Sequence, residues 1–351
     1  MPNKILVVPN ENAEHIALQK YFKIKLIEYE YYEKWDFSNG SRFIFPDEEC
    51  LLILPYSIFY FITDHEGFIY DMNNSKCSVY WIQLRDILSY KNFRHYIDKI
   101  TIPCYLHVEH YKGLHKPDDR IVTTDIPNTS CLDNLYIDTG HERNIDFLFI
   151  TITKKDRPHR QLLVDKLKEK DLLKKSIGKI DNTKQVGKWE INKKTKWKDN
   201  FVGTVPGNPY TGDSYRDFIV YWDLYNRVYY EVCCETLHEF CSYPTEKTMK
   251  SVVAKVPFVV LSDYKFYDHF KNLGFKTFGH VIDESFAYEP DLNKRVEKLA
   301  DTISNINAKE FYENTRDICE HNYKHLCYLR YHRHNELSKQ WDKFFTKLGI
   351  C

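Results

Sequence analysis

Residues 228–279 constrain the possible fold of this chain more than any other stretch of its sequence. A β-branched and aromatic run ends at Glu235, and after a polar loop Thr245-Glu246-Lys247 opens an amphipathic segment. The apolar run Val256–Leu261 follows, then a short helix-like piece that a glycine stops, and then Phe275–Phe278. The pattern predicts strand, loop, helix, strand, helix and strand in that order, which is half of a doubly wound α/β domain.

Charged residues in this stretch fall where such a domain would hold a ligand. Open α/β sheets bind ligands outside the carboxyl ends of their strands, and the first turn of a helix attracts anions. Two of these residues also fit an ordinary helix start without a ligand, with Thr245 as the N-cap and Glu246 in the first turn. Lys247 opposes the helix dipole, which favours a bound anion at this end of the helix. Glu235, at the end of the neighbouring strand, is placed to accept hydrogen bonds from ribose hydroxyls.

Length and charge limit the function classes. The 351 residues suffice for two domains of ordinary size, and a hydrophobic content of 43% favours packed cores over disorder. Lysine plus arginine and aspartate plus glutamate each total 50, so the formal net charge is zero. A protein that binds nucleic acid through its overall electrostatic field is strongly basic. In this chain only a local stripe of basic residues could bind nucleic acid.

No segment predicts export or membrane insertion. Leu51–Thr63, the longest apolar run, is interrupted by Pro55 and is shorter than the roughly 20 residues that a membrane helix needs. The ten cysteines form no C-x-x-C pair, which predicts reduced thiols in an intracellular, cytoplasmic protein. The abundance of Lys, Asn, Ile, Tyr and Phe is typical of an AT-rich genome, such as that of a virus or phage.

The first half reads as strands alternating with helices, which indicates a parallel sheet. A helix is predicted over Glu14–Tyr21. The predicted strands are Lys4–Pro9, Ile24–Tyr29, Leu51–Leu54, Ser78–Ile82 and Pro103–Val108. Further helix-like patterns cover Arg85–Leu88 and Phe93–Ile97. Asp118–Arg143 is polar and turn-rich, so we place a domain boundary there and assign 1–140 to a Rossmann-like domain.

The second half restarts with the apolar strand Ile145–Thr153 and an amphipathic helix over Gln161–Lys168. A polar insertion then occupies 181–215. Three later helices are predicted over Asp291–Ile306, Lys309–Leu329 and Asn335–Leu348, with Tyr331-His332-Arg333-His334 as a helix junction. We assign 141–306 to a second Rossmann-like domain and 307–351 to C-terminal helices. The fold class is therefore α/β, with two doubly wound domains.

Three basic residues, Arg157, His159 and Arg160, lie between the strand and the helix that open the second half. A helix N-terminus carries unpaired N–H groups and a partial positive charge, and arginine forks fit phosphate oxygens. This pattern favours a diphosphate site. A solvated basic turn would have the same composition, so the residues alone leave both interpretations open.

Cys234-Glu235-Thr236, followed by Thr245-Glu246-Lys247-Thr248 and then Val256–Val260, resembles the donor-binding signature of α1,3-fucosyltransferase-like enzymes. In that family a Glu-Asn-Ser segment precedes Thr-Glu-Lys by about ten residues, and a Val-Pro-Val strand follows. Arg157 and Arg160 after the strand Ile145–Thr153 are similar to the start of the family's nucleotide-sugar domain. Leu273–Phe278 and Asp283-Glu284-Ser285 resemble phage and viral glycosyltransferase-like proteins. The likeness covers about residues 145–300.

The resemblance implies a two-domain GT-B glycosyltransferase, a hexosyl- or pentosyltransferase of inverting stereochemistry. The second domain would hold a nucleotide-diphosphate sugar and the first an acceptor. Lys247 would neutralise the diphosphate with help from Arg157 or Arg160, while Glu246 and Glu235 would bind ribose or sugar hydroxyls. Two departures leave the sugar and the base open: Thr236 stands for the family's Asn, and Ser262-Asp263 follows the strand where the family has glycine.

No D-x-D triplet, the usual metal-holding motif of the other major glycosyltransferase fold, occurs in the chain. Charge that develops on a leaving diphosphate needs either a metal or fixed cations and a helix dipole. Lys247, Arg157 and Arg160 are candidates for those cations. We therefore expect metal-independent transfer, with no cofactor besides the sugar nucleotide.

The catalytic base is expected from the first domain. Asp64 follows the apolar run at 51–63, and His107 and Glu109 stand at the end of the strand at 103–108. A carboxylate or imidazole within hydrogen-bond reach of the acceptor hydroxyl would serve. The residues do not choose between them, and all three also fit ordinary exposed strand ends.

The insertion interleaves lysines with Trp189 and Trp197, which is typical of a lid that stacks on sugars or bases, and also of a solvated loop. As a lid it suggests a glycan or a modified DNA base as acceptor. Two other functions remain open. One is a nucleotide- or phosphosugar-binding protein without catalysis, and the other is a nucleic-acid binding module that uses the basic insertion.

Overall fold

The computed structural model describes residues 4–8, 13–32, 35–36, 42–55, 65–77, 79–84, 99–101, 104–109, 121–124, 143–153, 157–180, 184–187, 220, 222–235, 238 and 244–350. The chain divides into two compact units. Met1–Ile126 and His332–Cys351 form the first unit, and Pro127–Tyr331 forms the second. The division at 126/127 falls inside the polar segment 118–143, and residues 307–351 are shared between the units.

The first unit contains a sheet of parallel strands. These are β1 (Ile5–Val7), β2 (Glu30–Tyr31), β5 (Leu51–Pro55), β6 (Val79–Leu84), β7 (Cys104–Glu109) and β8 (Ile121–Thr124), in the order β2-β1-β5-β6-β7-β8. A separate antiparallel pair joins β3 (Trp35–Asp36) to β4 (Arg42–Phe43). Helices α1 (Ala13–Lys25) and α2 (His65–Asn73) accompany the sheet. The predicted parallel α/β sheet of this half is confirmed.

The core of the first unit draws on both ends of the chain. Tyr21 and Phe22 of α1 pack with Trp341 and Phe345, and the ring of Tyr21 stacks on that of Phe345 at 5.7 Å. The Tyr21 hydroxyl also donates to Asp342 Oδ1 at 2.7 Å. Aromatic pairs of this kind stabilise a core beyond the area that they bury. The side chains of Trp341, Phe344, Phe345 and Leu348 are therefore part of this unit's interior.

The predicted strand Ile24–Tyr29 is wrong. Helix α1 continues to Lys25, and Leu26 then takes a left-handed conformation with φ 55°. The N–H of Ile27 reaches back to the carbonyl of Phe22 at 2.9 Å, as at many helix C-termini. Ile24 is 76% exposed and Leu26 89% exposed, so the apolar letters that suggested a strand mark the exposed end of a helix.

The second unit contains a sheet in the order β11-β10-β9-β12-β13. Its strands are β9 (Phe147–Thr153), β10 (Ser176–Ile180), β11 (Lys184–Gly187), β12 (Val228–Cys234) and β13 (Phe258–Leu261). Strand β11 is antiparallel to β10, and the other pairs are parallel. After β9 the chain first adds β10 on one side and later adds β12 on the other. The topological switch point therefore lies between β9 and β12.

In the first part of the second unit, helices alternate with strands as predicted. The helices of this unit are α3 (Pro158–Glu169), α4 (Trp222–Tyr225), α5 (Glu246–Ala254), α6 (Phe266–Asn272), α7 (Leu292–Asn305), α8 (Ala308–Asn314) and the start of α9 (Arg316–Lys347). None of the helices in the described ranges is both long and apolar enough to cross a membrane.

The predicted strand Phe275–Phe278 is also wrong, since this segment pairs with no strand of the sheet. The side-chain amide of Asn322, buried on α9, takes the place of a strand neighbour. Its Oδ1 accepts the N–H of Lys276 at 2.8 Å, and its Nδ2 donates to the Lys276 carbonyl at 2.9 Å. A side chain thus satisfies backbone groups that a sheet ladder would otherwise pair.

The C-terminal helices differ from the prediction in their breaks. Two helices were expected over Lys309–Leu329 and Asn335–Leu348, with a junction at 331–334. Instead the break falls at Thr315, whose hydroxyl donates to the Phe311 carbonyl at 2.6 Å. Helix α9 then runs without interruption from Arg316 to Lys347, so the junction is wrong. The predicted helix over Asp291–Ile306 is confirmed as α7, with Asp291 as its N-cap.

Candidate functional site

The carboxylate of Glu235, directly after β12, is bound to the start of α5. It is 1% exposed. Oε1 accepts hydrogen bonds from the Thr245 N–H at 3.0 Å and from the Thr248 hydroxyl at 2.6 Å, and Oε2 accepts from the Thr245 hydroxyl. The ribose contact that we expected of Glu235 is untested, but this carboxylate already holds the helix start against the strand end.

The contact between β12 and α5 continues inward as a polar seam. Alternate residues of a strand face one side, and Glu231 and Cys233 share that side with Glu235. Glu231 accepts hydrogen bonds from the hydroxyls of Ser251 and Tyr225, the latter at 2.8 Å. Cys233 Sγ lies 3.7 Å from the Thr248 hydroxyl. Because the members of the seam are buried and hydrogen-bonded to one another, they fix the register of α5 on β12.

The start of α5 has the predicted N-cap. Thr245 is extended and its hydroxyl accepts the Lys247 N–H at 3.3 Å. Glu246 follows in the first turn, as the helix dipole favours. The N-cap prediction is therefore confirmed, and the helix N-terminus opens at the carboxyl end of β12.

Lys247 and Glu246 form an ion pair at this helix start, and the Lys247 ammonium also lies 3.4 Å from the Thr245 hydroxyl. Burial alone would lower the pKa of Lys247, but the carboxylates of Glu246 and Glu235 raise it above its usual value. Burial alone would raise the pKa of Glu246, but the charge of Lys247 beside it lowers it. Both side chains are therefore charged at neutral pH.

The start of α3 meets the same strand end. His159 Nε2 lies 3.0 Å from the Glu235 carbonyl. The guanidinium of Arg160 donates through Nη2 to the carbonyls of Cys234 and Glu235, at 3.5 and 3.4 Å. Both side chains are buried, which lowers the pKa of the Arg160 guanidinium. The two residues thus join the start of α3 to the end of β12, across the switch point.

Arg157 occupies the N-cap position of α3, before Pro158. Its side chain is half-buried and caps no N–H of the helix. Within the described residues its guanidinium has no hydrogen-bond or ion-pair partner, unlike Arg160. Arg157 is therefore the cation of this group best able to take up an anion.

His159 is neutral at physiological pH. Burial lowers its pKa to about 4, and the nearby charges of Arg160 and Arg157 act in the same direction. Its ring stacks on that of His238, with centroids 4.3 Å apart. A neutral imidazole can pack beside two arginines where an imidazolium would be repelled.

Arg295 is a member of this region that the sequence analysis missed. It lies on α7 at 2% exposure, and its guanidinium donates to four backbone carbonyls. They are those of Glu289 (2.8 Å), Pro290 (2.9 Å), His238 (3.1 Å) and Ser262. Since His238 follows β12 and Ser262 follows β13, Arg295 ties together the loops after two neighbouring strands. A lone arginine inside a helical pattern gives no sign of this in the sequence.

The structure thus brings seven predicted residues to one place, around the carboxyl end of β12. They are Arg157, His159, Arg160, Glu235, Thr245, Glu246 and Lys247. Three cationic and two acidic side chains leave one net positive charge there, and two helix N-termini add their partial charges. This arrangement can hold a multiply charged anion and donate hydrogen bonds to its oxygens.

The other candidates lie on β7 of the first unit or outside the described residues. His107 and Glu109 lie on β7 in the first unit, where the structure describes the backbone but not these side chains. Asp64, Trp189 and Trp197 lie outside the described residues. Their roles as base or lid remain predictions.

No protein-family model matches the chain, and no curated protein matches it either. Chemistry can therefore be assigned only from the residues and their geometry. The strongest geometric fact is that the start of α3 meets the end of β12 at the switch point, where doubly wound sheets hold their ligands.

Proposed function

We propose that the protein is a glycosyltransferase that moves a sugar from a nucleotide-diphosphate donor to an acceptor hydroxyl. The second unit binds the donor at the switch point between β9 and β12. In the GT-B organisation that we propose, the first unit binds the acceptor, a glycan or a modified DNA base. The protein works inside a cell, including a virus-infected one, and needs no metal.

The contact of His159 and Arg160 with the Glu235 carbonyl carries this proposal. It fixes the N-terminus of α3 beside the end of β12, where Glu235 in turn fixes the N-terminus of α5. Two helix starts directed at one strand end make a site for an anion with two charged groups, such as a pyrophosphate. A single helix start would suit one phosphate or a carboxylate equally well.

Within the proposal the side chains have separate tasks. Arg157 binds a phosphate oxygen, because among these cations it is the one without a described partner. Lys247, paired with Glu246, adds charge at the second helix start. Arg160 and His159 position the start of α3, and Glu235 positions the start of α5.

The transfer itself needs few groups. The acceptor oxygen attacks the anomeric carbon, the bond from that carbon to the diphosphate oxygen breaks, and its electron pair stays on the phosphate. Fixed cations and helix N-termini stabilise that charge. A base takes the proton of the acceptor hydroxyl, and Glu109, Asp64 and His107 are its candidates.

Thermal-shift and binding measurements with UDP, GDP, inorganic pyrophosphate and the free nucleosides test the donor site. We expect stabilisation by the diphosphates and by pyrophosphate but not by the nucleosides. Arg157→Ala should weaken diphosphate binding about tenfold or more, because a charge-assisted hydrogen bond is lost. Lys168→Ala, an exposed cation late in α3, is the matched control and should bind normally. Equal affinity in both variants would refute the site.

A second measurement separates enzyme from binding protein. Release of free nucleoside diphosphate from a sugar nucleotide, dependent on a glycan or on hydroxymethylated DNA, marks a transferase. Diphosphate binding with no release under any acceptor marks a binding protein. Binding to DNA with no response to nucleotides marks a nucleic-acid module, and contradicts the proposal.

A further inference from the structure

Two cysteines of the first unit touch at the start of neighbouring strands. Cys50 directly precedes β5, and Cys77 lies two residues before β6. Parallel pairing of Leu51 with Val79 places the two strand starts side by side. The Sγ atoms of Cys50 and Cys77 are 3.5 Å apart, which is van der Waals contact between two thiols.

The pair is enclosed. Both side chains are buried, and Cys77 Sγ also lies 3.9 Å from the Pro46 carbonyl. The thiol contact with Cys77 first, and burial second, raise the pKa of Cys50 well above its usual range. Few thiolates form at neutral pH, so both alkylation and the first exchange with a disulfide reagent should be slow in the folded protein.

The segments that carry the two cysteines lie at the surface. Residues 47–49 and 74–76 form bends or a turn, and most of their side chains are exposed. An ion pair of 2.7 Å between Lys76 and Asp47 joins them, and both partners are largely exposed. Exposed ion pairs contribute little to stability. These surface bends are therefore the segments that would move for the sulfurs to close from 3.5 Å to the roughly 2.05 Å of a disulfide.

We propose that Cys50 and Cys77 are a reversible redox pair that forms an intramolecular disulfide when the protein meets a small-molecule disulfide. The register of β5 and β6 holds the two sulfurs together before any oxidant arrives. This inference does not depend on the proposed transferase activity.

The reaction is a thiol–disulfide exchange in two steps. The thiolate of one cysteine attacks a sulfur of the reagent, the reagent's S–S bond breaks, and one thiol leaves with the proton. The second cysteine then attacks the sulfur of the first, forming the Cys50–Cys77 bond and releasing the second reagent thiol. Two protein thiols are oxidised and one reagent disulfide is reduced.

The new bond would strengthen the first unit without covering its ligand-binding edge. It lies at the amino ends of β5 and β6, whereas parallel sheets bind ligands at their carboxyl ends. It would close a loop between residues 27 positions apart, which restricts the unfolded chain. We therefore expect a stabilising device and not a catalytic one.

The test oxidises the folded full chain with bis(2-hydroxyethyl) disulfide, a neutral reagent that the acidic side chains of 47–49 do not repel. Remaining thiols are alkylated after unfolding, and peptides are mapped by mass spectrometry without reduction. We expect a Cys50–Cys77 peptide and a melting temperature raised by about 5 °C, reversed by dithiothreitol. Cys77→Ser should show neither change.

Alkylation of both Cys50 and Cys77 in oxidised protein would overturn the proposal. So would a crosslink that leaves the melting temperature unchanged or lowers it, since the stapling argument would then fail. The crosslink and the melting temperature are compared between the oxidised and the reduced parent protein. A poorly folding Cys77→Ser variant therefore does not weaken the test.

Discussion

The side-chain amide of Asn322 holds both backbone groups of Lys276, accepting its N–H at 2.8 Å and donating to its carbonyl at 2.9 Å. In a longer sheet a further strand would pair with this segment. Here the side chain of an asparagine on a helix pairs with it instead. The sheet therefore has β13 as its edge strand, and the chain continues into helices. Asn322 is 1% exposed, so its amide has little access to solvent.

Replacing Asn322 by Ala should therefore destabilise the second unit by about 2 kcal/mol, because two part-buried hydrogen bonds are lost and the N–H and carbonyl of Lys276 lose their partner. Denaturant unfolding followed by circular dichroism measures this. Asn293→Ala, an exposed asparagine on α7 of the same unit, is the control and should change the free energy of unfolding by a few tenths of a kcal/mol at most. A similar small loss for Asn322→Ala would contradict this account.

Gly274 should not tolerate a side chain. It follows α6 with φ 90°, and a Cβ added there would lie 2.5 Å from Nε2 of His325. That nitrogen lies 2.6 Å from the Leu273 carbonyl, so the imidazole closes the helix end. We expect Gly274→Ala to cost about 2–3 kcal/mol, from backbone strain and from displacement of His325.

A double-mutant cycle separates those two causes. In a His325→Ala background the steric conflict is gone and the backbone strain remains, so Gly274→Ala should cost less than in the parent. Strict additivity, measured by denaturant unfolding, would mean that the imidazole is not the obstacle.

Stability should fall as pH rises from about 4.5 to 7, through Glu231. Burial raises the pKa of this carboxyl from 4.5 to about 7, although the hydrogen bonds from Ser251 and Tyr225 act in the opposite direction. The folded state therefore keeps a proton that the unfolded chain has released. Above its folded pKa the loss is complete, and at about 1.4 kcal/mol per pH unit it reaches about 3 kcal/mol.

Glu231→Gln removes this titration and keeps an oxygen that can accept from both hydroxyls. Free energies of unfolding at pH 5 and pH 8 should differ less in the variant than in the parent. Equal pH dependence in the two proteins would show that Glu231 ionises normally.

Arg295→Lys should weaken the proposed donor site as well as the fold. A lysine ammonium has three donors and no planar fork, so it cannot reach the four carbonyls that Arg295 joins. The loops after β12 and β13 would then separate, and diphosphate affinity should fall several-fold. Isothermal titration with GDP or UDP, at a temperature where the variant is folded, measures this. Lys294→Ala, its exposed neighbour, should bind like the parent.

Local signals in the sequence predicted much of the second unit. The strands β9 and β13 are apolar runs, β12 is a β-branched and aromatic run that includes Glu231, and Thr245 before an amphipathic segment is a plain N-cap signal. Arg157, His159 and Arg160 were predicted because a basic turn between a strand and a helix is readable without tertiary structure.

Long-range contacts were not predictable in this way. Phe275–Phe278 has the apolar content of a strand, but the backbone partner is Asn322, more than forty residues later. Arg295 acts through carbonyls, which no side-chain motif records. The seam had a signal in retrospect: Glu231, Cys233 and Glu235 alternate along a strand, opposite hydroxyls at helical spacing on α5.

The placement of Trp341 and Phe345 in the first unit's core has a consequence for biosynthesis. A ribosome delivers residues 127–331 before the segment that seals the interior beside Tyr21. The second unit can therefore fold while the first still exposes Tyr21 and Phe22 to chaperones and to neighbouring nascent chains. Of the two units, the one whose synthesis begins earlier is therefore the one that completes its core later.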